Sequence, residues 1–90
     1  MGEERRFVYR RDVLEHLIRH GVSPTEHTPP TLVRDFVRDL YKYEIRRLRT
    51  ELLAGRIVRK NYAGHVIALR RRYWLLSVPV HLWLVDPPIE

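Results

Sequence analysis

Two histidines four residues apart, His16 and His20, are the first side chains in this sequence whose spacing could support chemistry. On a helix this spacing puts both imidazoles on one face, where they can share a metal ion. Neither has a cysteine or an acidic residue at ligand spacing, and both point away from the apolar stripe begun by Val13 and Leu17. We therefore expect a solvated histidine pair and no metal site. His27 lies in a loop, His65 and His81 are isolated, and none of the three is better as a ligand.

Basic residues are the second candidate set, since 17 Lys and Arg outnumber 11 Asp and Glu and give a formal net charge of +6. An excess of this size suits a polyanionic partner, although a codon bias toward arginine would produce the same excess. Arginine also suits bidentate contact with phosphate. The predicted phosphate-binding residues lie around the turn that follows the longest helix: Arg49, Arg56, Arg59 and Lys60, joined by Arg71 and Arg72 if these lie on the same side. The other basic residues of that helix are typical of a solvated outer face: Arg34, Arg38, Lys42 and Arg46.

Glu44 and Arg70 are charged residues at apolar positions. Glu44 interrupts the apolar stripe of the long helix, and Arg70 interrupts the stripe of the helix after it. In an antiparallel pair of helices, they would lie about 15 and 13.5 Å from the turn at ~1.5 Å per residue. We predict a buried ion pair between them that shares a hydroxyl from Tyr41 or Tyr73. The functional alternative is a catalytic or ligand-binding carboxylate at Glu44.

Catalytic motifs are absent from the sequence. It has no glycine-rich phosphate loop, no Gly-x-Ser-x-Gly and no His-Glu-x-x-His, and only 4 glycines in all. Because it has 0 cysteines, it can form no disulfide, thiolate metal site or cysteine nucleophile. A chain of 90 residues also leaves little room for both a core and a cleft. We expect a protein that is not an enzyme and needs no cofactor.

The element that must position these residues is a long helix over residues 31–54. At 3.6 residues per turn its apolar residues form one stripe with a flank, and its length would be about 36 Å. The stripe contains Val33, Val37, Leu40, Tyr41, Leu48 and Leu52, and the flank contains Leu32, Phe36 and Tyr43. Pro29 or Pro30 is tolerated in its first turn, and Gly55 is placed to end it.

Two shorter helices are predicted on either side of the long one. The first covers residues 13–20, begins with a capping box of Asp12 and Glu15, and ends at Gly21. A loop over 22–30 follows it, because that segment concentrates Pro, Ser and Thr. The third helix covers residues 62–74 with Asn61 as its N-cap. Its short connection to the long helix predicts an antiparallel αα-hairpin.

The C-terminal segment alternates apolar residues with others from Val78 to Leu84, which indicates an extended strap across the helices. Pro79 excludes a central strand, but pairing with residues 7–9, themselves either a short strand or a helix lead-in, is open. Both faces of the strap are apolar. Either helices cover one face and a partner the other, through Val80, Trp83 and Leu84, or the segment turns back as a short helical piece.

The sequence thus predicts an all-α single domain over residues 1–90, with three helices built on a long central one and an extended C-terminal strap. The first functional hypothesis is a basic module that contacts nucleic acid non-specifically through phosphates. The alternative is a protein-interaction or homodimerisation module that uses the strap. Since no window approaches the ~20 apolar residues of a membrane span, we expect a cytoplasmic protein with no membrane partner.

Overall fold

The architecture is mostly helical in the computed structural model, which describes residues 6–85. Helix α1 is Arg11–Arg19, α2 is Pro30–Leu53 and α3 is Arg59–Arg72, followed by two short 3-10 turns at Trp74–Ser77 and Val80–Trp83. The described residues form no strand or sheet. Three helices built on a long one are therefore confirmed. Residues 1–5 and 86–90 of the predicted domain lie outside the described part.

Glycines end the first two helices, as the sequence predicts. Gly21 has φ +79° and Gly55 has φ +78°, values that a residue with a Cβ adopts only with strain. At both ends the glycine amide donates to a carbonyl three residues earlier, from Gly21 to Ile18 and from Gly55 to Leu52. The amide after the glycine donates to a carbonyl five residues earlier, from Val22 to Leu17 and from Arg56 to Glu51. This double hydrogen-bond pattern is the Schellman motif, which pairs carbonyls that the helix leaves free.

The predicted starts of α1 and α3 are wrong by two or three residues. The Asp12 carboxylate accepts a hydrogen bond from the adjacent Val13 amide, and Glu15 pairs with Arg11 at 3.9 Å, so no capping box forms. Helix α3 begins at Arg59 with Val58 as its N-cap, and not after Asn61. Ile57 and Tyr62 occupy the positions of a hydrophobic staple there, so apolar residues replace a polar cap.

The core lies around the first half of α2. Val33 and Val37 are buried, and the remaining buried apolar residues come from every other part of the fold: Tyr9, Val13, Leu17, Leu69, Tyr73, Leu75 and Trp83. Helix α2 packs against α3 and both 3-10 turns. From Leu40 onward the apolar stripe of α2 is less covered, since Leu40, Tyr41 and Leu48 are only half-buried.

The C-terminal segment differs from the predicted extended strap. Two 3-10 turns turn Leu75 and Trp83 inward, each 0% exposed, while Trp74 and Leu82 stay partly open to solvent. An alternating sequence with two apolar faces cannot bury both faces on one surface, whereas 3-10 turns sort the side chains with a period near three. Within residues 6–85, pairing with the N-terminal segment consists of one antiparallel bridge, between Tyr9 and Leu84.

Candidate functional site

The predicted phosphate-binding residues lie at opposite ends of α3. Arg59 and Lys60 begin the helix, and Arg71 and Arg72 end it. Twelve residues separate Arg59 from Arg71, which corresponds to about 18 Å at 1.5 Å per residue. Arg49 lies in the last part of α2, and all of these side chains are exposed. Arg71 and Arg72 therefore lie away from the turn and form a second group, and the phosphate-binding role of both groups stays a prediction.

Ion pairing sorts the basic residues further. Each carboxylate in residues 6–85 forms an ion pair with an arginine, at 2.6 to 3.9 Å. Arg56 pairs with Glu51 at 2.6 Å, so its charge is locally compensated. Many exposed basic side chains in the same range have no such pair: Arg19, Arg34, Lys42, Arg46, Arg47, Arg49, Arg59, Lys60, Arg70 and Arg71. Uncompensated positive charge is thus distributed over α2 and both ends of α3.

An open cleft of about 550 Å³ lies where the end of α3 meets α1 and α2. Three arginines, two histidines and two aromatic residues dominate its lining, and Glu44 is the single carboxylate among the described residues that line it. The lining residues are His16, Arg19, His20, Leu40, Glu44, Arg71, Arg72, Tyr73 and Trp74. Because Glu44 is itself paired with Arg72 at 3.3 Å, the cleft presents a net positive surface to a ligand.

His16 is buried in this cleft, at 6% exposure, so the expected solvated histidine pair is wrong. The Trp74 indole N–H donates to His16 Nδ1 at 3.0 Å, and His16 Nε2 lies 3.2 Å from Nε2 of His20. The covering residue is 58 positions away in sequence, which is why the helical pattern of α1 gives no sign of it. Loss of hydration on burial, followed by the charges of His20 and Arg19, lowers the pKa of His16.

The bond from Trp74 also fixes the tautomer of His16. An indole nitrogen can only donate, so Nδ1 of His16 must accept, and the proton of the neutral ring then sits on Nε2. A protonated Nε2 has no lone pair for a metal ion. The described residues 6–85 also contain no group of three or more His, Cys, Asp and Glu side chains arranged to hold one.

The predicted Glu44–Arg70 pair is wrong, because Glu44 contacts Tyr73 and Arg72 instead. The Tyr73 hydroxyl donates to Glu44 Oε2, and Arg72 lies 3.3 Å from Oε1. Arg70 is exposed on another side of α3. The α3 residues beside α2 are His65, Ala68, Leu69 and Arg72. The face that α3 turns toward α2 therefore contains Arg72 and not Arg70.

Sharing of a Tyr73 hydroxyl with Glu44 agrees with the sequence-based expectation. Tyr73 is 3% exposed, and its burial, together with the hydrogen bond to Glu44, raises its pKa well above the ordinary value of 10. The contact to Tyr73 and the ion pair to Arg72 leave Glu44 engaged on both oxygens. These contacts give the polar residue in the α2 stripe a structural role between α2 and α3.

The predicted partner-binding residues are mostly covered by the chain itself. Trp83 is 0% exposed, and its indole N–H donates to the Val78 carbonyl at 3.0 Å. Val80 and Leu84 are half-buried and pack against the core. Trp83 therefore cannot be a free contact residue, which corrects its assignment to a partner surface.

Trp74 and Arg19 are the residues of the cleft that the sequence analysis did not select. Trp74 is 40% exposed and follows the run Arg70–Arg72 after one residue, Tyr73. An aromatic residue beside a basic run is a signal that could have selected it. Arg19 gave no signal of its own, because its place in the cleft depends on how α1 meets α3.

Comparison with known proteins identifies no relative of this chain. No protein-family model matches the chain, and no curated protein or solved structure is significantly similar to it. Among residues 6–85, no helix has the length and apolar character that crossing a membrane requires.

Proposed function

We propose that this protein is a non-catalytic, cytoplasmic binding module that contacts nucleic acid through phosphates. It does not recognise base sequence in the grooves of a duplex. Its contact surface is the exposed side of α3 together with the cleft at the end of that helix. The antiparallel hairpin of α2 and α3 serves as the rigid support. The observation that carries this proposal is that all carboxylates of residues 6–85 are paired, while exposed cations remain unpaired along α3.

The start of α3 supports the proposal independently of net charge. Arg59 and Lys60 lie in the first turn, which has no acidic residue. The helix dipole makes that end positive, so cations there are unfavourable by roughly 0.3–1 kcal/mol each. An anion bound at this end would remove the repulsion. A phosphate is the anion whose geometry arginine contacts best.

The separation of the two groups suits a polymer of phosphates better than a single anion. Along one strand of a duplex, charges follow at about 3.4 Å per nucleotide, so the roughly 18 Å between Arg59 and Arg71 corresponds to about five phosphates. A mononucleotide could reach only one group. A strand lying along α3 could reach both, and its affinity would fall steeply as the salt concentration rises.

Two triple variants with identical charge changes test this proposal. The first replaces Arg59, Lys60 and Arg71 on α3 by Ala. The second replaces Arg34, Lys42 and Arg46 on the outer face of α2 by Ala. Fluorescence anisotropy of a labelled oligonucleotide at low salt should show a large loss of affinity for the α3 variant and a small one for the α2 variant. Equal losses would indicate a dependence on net charge alone and would contradict the proposed surface.

A protein-interaction or homodimerisation module is the second candidate, and a different observation favours it. Leu32, Phe36 and Tyr43 are 61%, 52% and 60% exposed and follow one side of α2. Exposed apolar residues that share one side of a helix are common at protein interfaces. Since Trp83 is buried, this candidate rests on α2 and not on the C-terminal segment. Sedimentation of Phe36→Ser tests it: loss of a dimer would support this function, and a monomeric wild type would remove the homodimer.

A further inference from the structure

Trp74 is an exposed aromatic ring placed between two open clefts. One is the positive cleft beside α1, and the other, also about 550 Å³, is lined by apolar side chains that include Ile67 and Leu76. Arg71 borders both clefts, so a ligand in either cleft meets a cation beside the Trp74 ring. A tryptophan that served the core alone would be covered, as Trp83 is, whereas Trp74 keeps 40% of its surface open.

The orientation of the Trp74 ring is fixed before any ligand binds. Its N–H donates to Nδ1 of His16 at 3.0 Å, and the two ring centroids lie 5.1 Å apart. Because His16 is buried, this anchor is held by the core. A fixed ring loses little conformational entropy on binding, so stacking on it is more favourable than stacking on a free side chain.

Charge and shape together select the ligand class. An apolar peptide would match Ile67 and Leu76 but would leave Arg70 and Arg71 without partners. A nucleotide of a single strand matches both, since its base can stack on the indole while its phosphates meet the arginines. In a duplex the faces of the bases are stacked on one another and cannot reach the ring.

We infer that Trp74, with Arg71 beside it and Arg19 across the positive cleft, forms a stacking site for a base of single-stranded nucleic acid. This inference rests on the proposed function and names its ligand class. The base lies on the open side of the indole, and the neighbouring phosphates contact Arg71 and Arg19. Binding of a single strand is then stronger than binding of a duplex with the same phosphates.

The protein carries its own reporter for this site, because Trp74 and Trp83 are its only tryptophans. Trp83 is fully buried, so quenching by a ligand reports Trp74. A thymidine oligonucleotide should quench the emission, and a duplex of mixed sequence should not. Replacement of Trp74 by Leu should weaken binding of the oligonucleotide by about fivefold to a hundredfold, as expected from 1–3 kcal/mol per stacked base.

Two further variants test whether the effect of Trp74→Leu comes from loss of the aromatic ring. Trp74→Phe keeps an aromatic face and should recover part of the affinity, whereas Leu82→Ala alters another exposed apolar residue and should change nothing. Neither Trp74 variant removes a charge, so the salt dependence should stay that of the wild type. Duplex affinity should also be unchanged in Trp74→Leu.

The outcomes separate the stacking site from the function on which it rests. Equal binding of both nucleic acids without quenching would overturn the stacking site and leave the phosphate-binding module intact. No binding of either at low salt would overturn both. A change in emission with protein concentration alone would show that a second copy covers Trp74, which would also overturn the inference. Quenching is measured on the wild type, so the test does not depend on the variants folding.

Discussion

Replacement of Trp83 should destabilise the fold without changing the mass of the protein in solution. The side chain is 0% exposed, and its turn packs on α2. Truncation of a buried aromatic residue to Ala costs about 3–5 kcal/mol through lost burial and the cavity left behind. The free energy of unfolding of a small domain is roughly 5–15 kcal/mol, so the Trp83→Ala protein should be only marginally stable.

Trp83→Phe separates packing from hydrogen bonding at the same position. Phenylalanine keeps most of the apolar surface but cannot donate to the Val78 carbonyl, which should cost about 1–3 kcal/mol. The neighbouring Leu82 is 47% exposed, and Leu82→Ala should stay within about 0.5 kcal/mol of the wild type. Urea denaturation gives these values, and sedimentation gives the mass. A Trp83→Ala protein of unchanged stability, or one that changes from dimer to monomer, would refute the burial of Trp83 within its own chain.

Three further perturbations test other contacts. Tyr73→Phe should lower the free energy of unfolding by about 1.5–3 kcal/mol, because the Tyr73 hydroxyl donates to the Glu44 carboxylate. Arg70→Ala should change it by no more than about 0.5 kcal/mol. Equal urea midpoints for the two variants would contradict this difference. Gly64→Ala should raise the free energy of unfolding by about 0.5–1 kcal/mol, since a Cβ there meets no atom within 4 Å, and a lower thermal midpoint would argue against it. Because the pKa of His16 lies below the ordinary 6.5, the unfolded state binds a proton that the folded state does not, so stability should fall as pH falls through 6.5. Urea midpoints that stay constant from neutral to acidic pH would disprove that linkage.

The three helices were predictable because their information is local. The apolar period of α2 and the glycines Gly21 and Gly55 depend on neighbours along the chain, and the structure has both. The start of α3 was not predictable by the same means. A polar cap is a strong signal in a sequence, but the N-cap of this helix is Val58, whose side chain makes no capping hydrogen bond.

The polar contacts of the cleft were not predictable, because they depend on the rotation of α3 about its own axis and on residues far apart in the sequence. Periodicity placed Arg70 within the apolar stripe of α3, whereas the face of α3 that meets Glu44 contains Leu69 and Arg72. Burial of His16 depends on Trp74, which the sequence placed at the end of the third helix but which lies in the 3-10 turn after that helix. Contacts fixed by the packing of three elements are therefore the part that sequence reasoning missed.

The central claim, that exposed cations along α3 contact phosphates, is tested most directly by the salt dependence of binding. The logarithm of the affinity for a labelled oligonucleotide is followed against the logarithm of the salt concentration. Each lost phosphate contact lowers the slope by about 0.7 to 0.9, so the variant lacking the charges of Arg59, Lys60 and Arg71 should lose about 2 to 3. The variant with Arg34, Lys42 and Arg46 replaced should keep nearly the wild-type slope. An α3 variant whose slope equals that of the wild type would contradict the claim.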